Sequence, residues 1–549
     1  MLSREEQRTL RGTIFRHLDG LVTAPTMVAL TERGVGAALL EGPADLDELA
    51  RRFDASDGYL NVALRTLASQ GWLEHRARAS GEGVEVETTP AGRIAFEHGW
   101  LYRDVVDFMK YSGEFHPRRF ELAPFRRMEE VRDRSRERYG IEPTDDIVVQ
   151  RVRDQIFAHI EGALFAPTVV RLGMSGMFHK YFTEASFRPE EFHEDGESFG
   201  RLLRMFEELG WFTERNGTFR FTDRGLFFAR RASAYGVTVS YLPTLRRLDE
   251  LIFGDPLAVR SAPDGPETHV DRETNVWGSG GAHAAYFREI DDIIVELFDR
   301  PIDEQPRGIV DMGCGNGAFL EHLFDVIDSR TARGRVLEDH PLFLVGVDFN
   351  ETALRVTRQN LARADIWAKV IWGDVGRPDR LADDLREDYG IELRDLLNVR
   401  TFLDHNRPWE PPAPHDRVAT STGAFAHLGS RLDNADVEQS LVEHLRRWAP
   451  YLERFGLLVI ELHTLPPALA ARHVGETPVT AYDATHGYSD QYIVETDVFE
   501  RIVEEAGLRT TPSCARRFPD SELATVTIHL LQRSPRTRGA GVRRPRPAG

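Results

Sequence analysis

The segment VDMGCGNG, residues 310–317, limits most strongly what this chain can fold into. An apolar strand ends there in Asp311, and Gly313, Gly315 and Gly317 then allow the backbone to turn sharply beside a ligand. A helix is expected to begin directly afterwards, so that its amides and the positive end of its dipole point into the turn. Similar turns bind dinucleotides, but Asp311 favours another ligand, because a carboxylate repels a pyrophosphate and can pair with an amino group.

From residue 307 onward, short apolar runs alternate with helical patterns. This rhythm predicts an α/β fold, a doubly wound Rossmann-like domain over residues 301–535, in which ligands bind beyond the carboxyl ends of the strands. Two further acidic residues stand at such ends. Asp348 follows FLVGV and is suited to ribose hydroxyls, whereas Asp374 follows VIWG and can accept a hydrogen bond from an adenine amino group.

The first part of the chain repeats itself. IFRHLDGLVTAPTMVAL begins at Ile14 and IFAHIEGALFAPTVVRL begins at Ile156. A helical pattern, a Gly-Trp pair, strand-like residues and a Thr-x-x-Gly turn follow each copy, which predicts two helical winged-helix-like domains. The predicted units before and after the Rossmann-like domain are 1–105 (winged-helix-like), 106–150 (helical connector), 151–235 (winged-helix-like), 236–300 (helical lid or linker) and 536–549 (disordered tail).

Composition excludes several classes of protein. The formal net charge of −19 argues against a nucleic-acid partner, whose phosphates would be repelled. Without an apolar stretch of about 18 residues, neither a membrane span nor a signal peptide is expected. Cys314 and Cys514 are the only cysteines, which is too few for a disulfide framework and fits a cytoplasmic location. Exchange of the winged-helix domains between two copies makes a homodimer plausible.

Polar residues concentrate after the fourth and fifth predicted strands and in a later segment, YDATHGYSDQY. Two neutral imidazoles and an oxygen donor can form a facial triad for Fe(II) or Mn(II). We assign His405, His463 and Gln491 as the ligands of such a metal, with Asp404 and His486 as alternates. The other interpretation is a metal-free site with a histidine as general base.

The three acidic strand ends, in this order, resemble those of class I S-adenosylmethionine (SAM)-dependent methyltransferases. SGGAHAAYF (279–287), FLDHNRP and HGYSDQY are similar to segments of the C-methyltransferase domains in polyketide-synthase loading modules of the apratoxin type, and of 2-ketoarginine methyltransferases. The resemblance implies that SAM is the cofactor and that a carbon flanked by carbonyls is methylated. In the polyketide group it also implies a mononuclear metal.

We therefore expect methyl transfer from SAM to a 2-oxo acid or a malonyl-type acyl group, either free or presented by a carrier protein. A divalent metal would lower the pKa of the C–H bond, and His283 or His486 would take the proton near neutral pH, with Asp404 as a further catalytic residue. The alternatives are metal-independent O-methylation of a hydroxylated metabolite, a SAM-responsive winged-helix regulator and a non-enzymatic partner protein.

Overall fold

The computed structural model describes residues 2–77, 83–112, 122–260 and 267–534. Helical units with small β-wings are followed by an α/β unit, so the predicted fold class is confirmed. The predicted tail, 536–549, lies outside the described residues, and the predicted domain boundaries stay predictions. The α-helices before the α/β unit are Arg4–Glu32, Val35–Glu41, Leu46–Phe53, Asp57–Ser69, Pro90–Glu97, Arg103–Met109, Leu122–Arg136, Ile147–Met174, Lys180–Glu184, Gly196–Glu208, Asp223–Ala229, Gly236–Ser240, Leu242–Leu245, Leu248–Phe253, Pro256–Arg260, Arg272–Phe287 and Asp291–Phe298.

The two copies of the repeated sequence form the two longest helices, Arg4–Glu32 and Ile147–Met174, which pack against each other. Glycines make the close approach possible. A Cβ on Gly20 would lie 2.3 Å from the carbonyl oxygen of His159, and a Cβ on Gly162 would lie 2.2 Å from the Cα of His17. Because these contacts are reciprocal between equivalent positions, the repeat in sequence corresponds to a repeat in packing.

Helix Ile147–Met174 is the one helix among the described residues that is long and apolar enough to cross a membrane. However, 72% of its most apolar window is buried inside the protein. Burial of this kind is typical of a core helix.

The Gly-Trp pairs and Thr-x-x-Gly turns form the base of each wing. The Thr89 hydroxyl accepts a hydrogen bond from the amide of Gly92 at 2.9 Å, which caps the following helix. A Cβ on Gly92 would lie 1.9 Å from the carbonyl oxygen of Trp72, so only glycine fits there. Thr222 and Gly225 repeat this arrangement in the second unit. The wing strands are Leu73–Ala77 and Val84–Thr88 with the short Ala44–Asp45, and Phe212–Arg215 with Thr218–Phe221.

The α/β unit contains one eight-stranded sheet, whose strands we label β1 to β8 in chain order. They are β1 (Gly308–Met312), β2 (Phe343–Asp348), β3 (Ala368–Trp372), β4 (Leu397–Thr401), β5 (Leu457–Leu462), β6 (Leu508–Thr510), β7 (Arg516–Phe518) and β8 (Val526–Arg533). A separate hairpin joins Ala426–His427 to Ser430–Arg431. The helices of this unit are Ala318–Arg330, Glu351–Arg363, Pro378–Tyr389, Asn434–Trp448, Pro467–Arg472, Val479–Gly487 and Thr496–Glu505.

The strand order in the sheet is β6-β8-β5-β4-β1-β2-β3, with β7 also pairing to β8. Strands β1 to β5 are parallel, whereas β8 runs antiparallel to β5, β6 and β7. The chain proceeds outward from β1 to β3 and then resumes on the other side of β1 with β4. Crevices at such a reversal hold the ligands of doubly wound sheets. The predicted reaction residues follow β4 and β5, beside the predicted cofactor residues that follow β1 and β2.

Candidate active site

The glycine-rich turn after β1 has the sharply turning backbone that its sequence predicts. Gly313, Gly315 and Gly317 have φ values of +79°, +56° and +81°, which other residues rarely adopt. The amide of Gly313 donates to the carbonyl oxygen of Val347 at 2.7 Å, and that of Gly315 donates to a carboxylate oxygen of Asp348 at 3.0 Å. The turn is thus tied to the end of β2, where the second predicted cofactor residue lies.

The environment of Asp311 indicates most clearly that this turn binds a ligand. It is 1% exposed, and within the part of the chain that the structure describes neither of its carboxylate oxygens has a hydrogen-bond partner. Burial, together with the nearby charge of Asp348, raises its pKa to about 8. An unpartnered buried carboxylate is costly unless a positive group compensates it. The ammonium group of SAM would do so, and the chemistry of this turn therefore fits SAM.

Asp348 and Asp374 lie at the ends of the neighbouring strands β2 and β3. One oxygen of Asp348 accepts from the amide of Asn350 at 2.8 Å, and burial raises the pKa of this carboxyl. Asp374 is half-buried and accepts from the amide of Gly376 at 2.8 Å. The ring of Phe349 is 66% exposed beside Asp348, and it offers a flat apolar surface on which an adenine ring can stack.

His405 and Glu461 form the centre of the reaction edge. The Nδ1 atom of His405, which follows β4, lies 2.6 Å from a carboxylate oxygen of Glu461 in β5. Glu461 also accepts hydrogen bonds from the amides of Asp404 and Leu462, both at 2.7 Å. Because a carboxylate only accepts, Nδ1 of His405 donates this hydrogen bond, and in the neutral form of the ring the lone pair is then on Nε2. Both side chains are buried, so this pair is an oriented imidazole base.

His486 and Gln491 lie next to this pair. The ring centroids of His486 and His405 are 5.1 Å apart, and Nδ1 of His486 donates to the carbonyl oxygen of Tyr482 at 2.7 Å. The Gln491 amide nitrogen donates to the hydroxyl of Tyr241 at 2.9 Å. Burial and the charge of His405 lower the pKa of His486 to about 3. The expectation that His486 titrates near neutral pH is therefore wrong, and burial is the cause.

His283 lies on helix Arg272–Phe287, which passes over the glycine-rich turn: a Cβ on Gly280 would lie 3.1 Å from Nδ2 of Asn316. The ring centroids of His283 and Phe402 are 4.0 Å apart, and Phe402 directly follows β4. The helix thus brings His283 to the reaction edge. Burial, and secondarily the charge of His405, lowers its pKa to about 3, so the expected near-neutral titration of His283 is also wrong.

Two predicted reaction residues are engaged elsewhere. His463 is fully buried, with Nε2 bonded to the hydroxyl of Thr527 at 2.7 Å and Nδ1 to the carbonyl oxygen of Val494 at 3.2 Å. Neither nitrogen is left for a metal. Asp404 is ion-paired with Arg400 and bonded to His444, and both partners are buried as well. Although burial opposes it, the Arg400 charge lowers the pKa of Asp404, which makes this carboxylate a structural anion and not a proton acceptor.

The predicted ligand set of His405, His463 and Gln491 therefore does not fit a metal. Across residues 2–77, 83–112, 122–260 and 267–534, no group of three or more His, Cys, Asp or Glu side chains is arranged to hold one. Replacing His463 by the alternate His486 gives two imidazoles and one amide oxygen on neighbouring elements, a donor chemistry that suits Fe(II) or Mn(II).

Sequence reasoning missed Glu461 and Arg65. Glu461 interrupts an otherwise apolar run, LLVIEL, and a carboxylate inside a buried strand requires a polar partner, which was the available signal. Arg65 lies in the first winged-helix unit but donates 3.1 Å to Asp483 of the α/β unit, 418 positions later. No local pattern indicates that contact.

Strand β1 ends in an unpartnered aspartate and a glycine-rich turn, and β2 ends in a further aspartate. Together with the oriented imidazole next to them, these features define a class I SAM-dependent methyltransferase. Three sequence families match consecutive parts of the chain: the AprA N-terminal domain at residues 10–75, the AprA winged helix domain at 161–255 and the AprA MT2-like domain at 267–529. The chain is thus a SAM-dependent methyltransferase whose successive parts match three AprA-type domain families.

Several solved structures are similar over long stretches. Mitomycin 7-O-methyltransferase MmcR is 13% identical, with 70% of this chain and 98% of that chain covered and a TM-score of 0.40. An O-methyltransferase family protein from Burkholderia thailandensis is 16% identical, with coverages of 72% and 99% and a TM-score of 0.39. NcsB1 from neocarzinostatin biosynthesis, solved with SAM and 2-hydroxy-5-methyl naphthoic acid, is 15% identical, with coverages of 67% and 96% and a TM-score of 0.35. Such values assign no substrate to this chain, and the comparison with curated proteins gives no match.

Proposed function

We propose that this chain is a cytoplasmic enzyme of natural-product biosynthesis that transfers a methyl group from SAM to an acidic carbon beside a carbonyl. The acceptor class is a 2-oxo acid or a malonyl-type acyl group. The observation that carries this proposal is the 2.6 Å pair of His405 and Glu461 beside the glycine-rich turn. The similarity of FLDHNRP and HGYSDQY to C-methyltransferase segments supports carbon as the nucleophile.

His405 and Glu461 would act as a base and its orienting partner. Nε2 of His405 takes the acceptor proton, and the Glu461 carboxylate stabilises the resulting imidazolium. Asp311 binds the ammonium group of the cofactor, while Asp348 and Asp374 bind its ribose and adenine. When bound, SAM supplies an electrophilic methyl group. Transfer requires that the nucleophile be held in line, roughly 3–3.5 Å from that methyl group.

The more specific part of this proposal is that a divalent metal assists the methyl transfer. His405, His486 and Gln491 are the residues that would hold it, and it would polarise the acceptor carbonyl and lower the pKa of the neighbouring C–H bond. A metal on Nε2 of His405 would prevent that atom from acting as a base. The metal-bound and metal-free roles of His405 therefore exclude each other, and the dependence of turnover on metal distinguishes them.

O-methylation of a hydroxylated metabolite is the second candidate. The specific observation in its favour is again the oriented lone pair of His405, because such a base can deprotonate a hydroxyl group without a metal. A DNA-reading regulator is disfavoured, because Arg65 on helix Asp57–Ser69 is buried against the α/β unit and the net charge is −19.

The deciding experiment is mass-detected methyl transfer from SAM to a panel of malonyl carrier protein, free 2-oxo acids and one catechol. Each reaction is run with EDTA and with added Fe(II) or Mn(II). A carbon-methylated product supports the proposal, and its dependence on metal decides the role of His405. Transfer to the catechol in EDTA would favour the second candidate. The panel also distinguishes tethered from free acceptors. Light scattering of the purified protein tests the proposed homodimer.

Two histidine variants complete the assay. His405→Ala should abolish turnover while SAM affinity survives. His463→Ala should leave metal content unchanged, because its ring nitrogens are bonded to Thr527 and Val494. Equal loss of metal from both variants would restore His463 as a ligand and contradict the arrangement described above.

A further inference from the structure

The residue that directly follows β4 has an unusual backbone conformation. Phe402 has a φ of +54°, in the left-handed region that bulky side chains seldom adopt. Its amide donates to the carbonyl oxygen of Ile460 in β5 at 2.7 Å, which holds the chain in this turn. Glycine adopts such a conformation without strain, as Gly390 does at the end of helix Pro378–Tyr389. A phenylalanine at a position suited to glycine indicates that the ring, and not the turn alone, is required there.

The ring of Phe402 lies against the helix that carries His283. Its centroid is 4.0 Å from that of His283 and 5.9 Å from that of Tyr286, which follows three positions later. Gly280, three positions before His283, lies close to Asn316 of the glycine-rich turn. Residues three apart share one face of a helix. This face therefore extends from the glycine-rich turn to the ring of Phe402.

The segment after β4 also meets the glycine-rich turn directly. A Cβ on Gly313 would lie 3.0 Å from the side chain of Leu403, the residue after Phe402. The same turn follows the aspartate that fits the ammonium group of the cofactor. On the other side, the charge of His405 contributes to the lowered pKa of His283, so the proposed base is near as well. Phe402 therefore lies between the turn that binds the methionine part of SAM and the proposed base.

The two carboxylates beside the proposed base are engaged by protein groups. Asp404 is ion-paired with the buried Arg400, and Glu461 accepts hydrogen bonds from His405 and from two backbone amides. SAM carries a positive charge on its sulfonium sulfur. Moving such a charge out of water costs free energy unless another group compensates it. The sulfonium therefore needs a different kind of compensation on this side of the site.

Aromatic rings next to neutral imidazoles provide that compensation. The face of an aromatic ring is electrically negative and attracts a cation within about 6 Å of its centroid. Phe402 and Tyr286 are half-buried, so each ring keeps part of its surface for a ligand. Burial lowers the pKa of His283 and of His486 to about 3, and both imidazoles are therefore uncharged near pH 7 and repel no cation. This part of the site is suited to a sulfonium group.

We propose that the ring face of Phe402 contacts the sulfonium group of SAM and strengthens the binding of SAM relative to its neutral product, S-adenosylhomocysteine. This inference rests on the proposed function, from which it takes only SAM as the methyl donor. In the transfer the sulfur–methyl bond breaks, its electron pair stays on sulfur, and the acceptor forms the new bond to the methyl carbon. The attraction to Phe402 is lost with the positive charge, which favours release of the product. Phe402 is then a specificity-determining residue for the charge of the cofactor.

The test is calorimetric binding of SAM and of S-adenosylhomocysteine to the full chain, in EDTA and without acceptor. Phe402→Leu keeps a bulky apolar side chain on the same backbone but removes the ring. It should weaken SAM binding by about fivefold or more and leave the binding of S-adenosylhomocysteine nearly unchanged, whereas Phe402→Tyr should retain the affinity for SAM. Phe349→Leu is the matched control. It removes the ring beside the adenine position, which both ligands share, and should weaken both equally.

A second measurement needs no variant. The methyl protons of bound SAM, labelled with ¹³C at the methyl carbon, should resonate upfield of those of free SAM, because the face of an aromatic ring shields a group above it. The absence of this shift in the unmodified chain would overturn the inference, even if Phe402→Leu failed to fold. Equal weakening of both ligands by Phe402→Leu would overturn it as well. If the shift and the selective weakening appear while no acceptor is methylated, the inference is supported and the proposed acceptor class alone is rejected.

Discussion

The Nδ1 atom of His405 lies 2.6 Å from the Glu461 carboxylate, and two backbone amides hold that carboxylate in place. Glu461→Gln removes the negative charge that fixes the tautomer of His405 and stabilises its protonated form. We expect turnover to fall by about a hundredfold or more, with little change in SAM affinity. Steady-state kinetics with the acceptor identified by the panel measure the first quantity, and calorimetry measures the second.

A matched control for this variant is Glu438→Gln. Glu438 is equally buried and also accepts two backbone hydrogen bonds, from Thr420 and Ser421, but it lies on helix Asn434–Trp448. Glu438→Gln should lower stability and leave the turnover of the folded protein nearly unchanged. Equal losses of turnover in both variants would mean that Glu461 supports only the fold.

Asp404 should behave as a structural residue. Its pKa is lowered in the folded chain by Arg400 and a hydrogen bond from His444, so it stabilises the fold above the ordinary range of an aspartate pKa. This stability is lost as the pH falls through that range and below it. Because Arg400 would be left buried without its partner, Asp404→Asn should cost about 3–5 kcal/mol at neutral pH. Urea unfolding at neutral and acid pH measures both effects, and the difference between variant and parent should shrink at acid pH.

The exposed pair of Arg377 and Asp379 is the comparison. These side chains are 59% and 68% exposed and 3.8 Å apart, so Asp379→Asn should alter stability little at any pH. A large loss of turnover in folded Asp404→Asn would contradict the structural role and revive its assignment as a catalytic residue.

The sequence predicts the glycine-rich turn and the acidic strand ends because their signals are local. A strand, an aspartate and three glycines lie within eight residues, and each strand end is marked by its own acid. The reaction half depends on pairing between distant strands. His463 is bonded to Thr527, and this contact depends on the register of β5 against β8, where Leu462 pairs with Val526. No pattern near His463 fixes that register, so its ring nitrogens could not be assigned from sequence.

The repeat shows the same limit. Its helices, wings and caps follow from matching residues in the two copies, such as Thr89 and Thr222. The packing of the first copy against the α/β unit depends on contacts such as that between Arg65 and Asp483. Arg204 stands at the same distance before its Gly-Trp pair as Arg65, but its side chain is 53% exposed and donates to Glu214. Residue identity alone therefore does not distinguish a buried contact between units from an exposed surface.

The glycine-rich turn should tolerate an added methyl group poorly. Gly313 has a φ of +79°, and a Cβ there would lie 3.0 Å from the side chain of Leu403, which precedes Asp404 and His405. Gly390 also has a positive φ, +65°, but a Cβ there would meet no atom within 4 Å. Gly390→Ala should therefore cost only the backbone strain, about 1–2 kcal/mol.

Gly313→Ala should cost more than Gly390→Ala in urea unfolding, and it alone should weaken SAM binding. The clash displaces either the turn that holds the cofactor or the segment that carries the base. Equal destabilisation by the two variants, with SAM affinity retained in both, would show that the contact between Gly313 and Leu403 does not matter.

The raised pKa of Asp311 predicts how stability depends on pH and how many protons SAM binding releases. Burial, with the nearby charge of Asp348, raises its pKa from the ordinary 3.8 to about 8. Between these two pH values the folded chain keeps the proton on Asp311, whereas the unfolded chain has released it. Stability without ligand should therefore fall as the pH rises from about 4 to about 8. An ammonium group beside Asp311 has the opposite effect on its protonation, because it favours the charged carboxylate. SAM binding near pH 7 should thus release close to one proton. Calorimetry in buffers of different ionisation enthalpy counts that proton, and Asp311→Asn should bind SAM more weakly and release none. Proton release that persists in Asp311→Asn would place the titrating group elsewhere and remove Asp311 as the partner of the ammonium group.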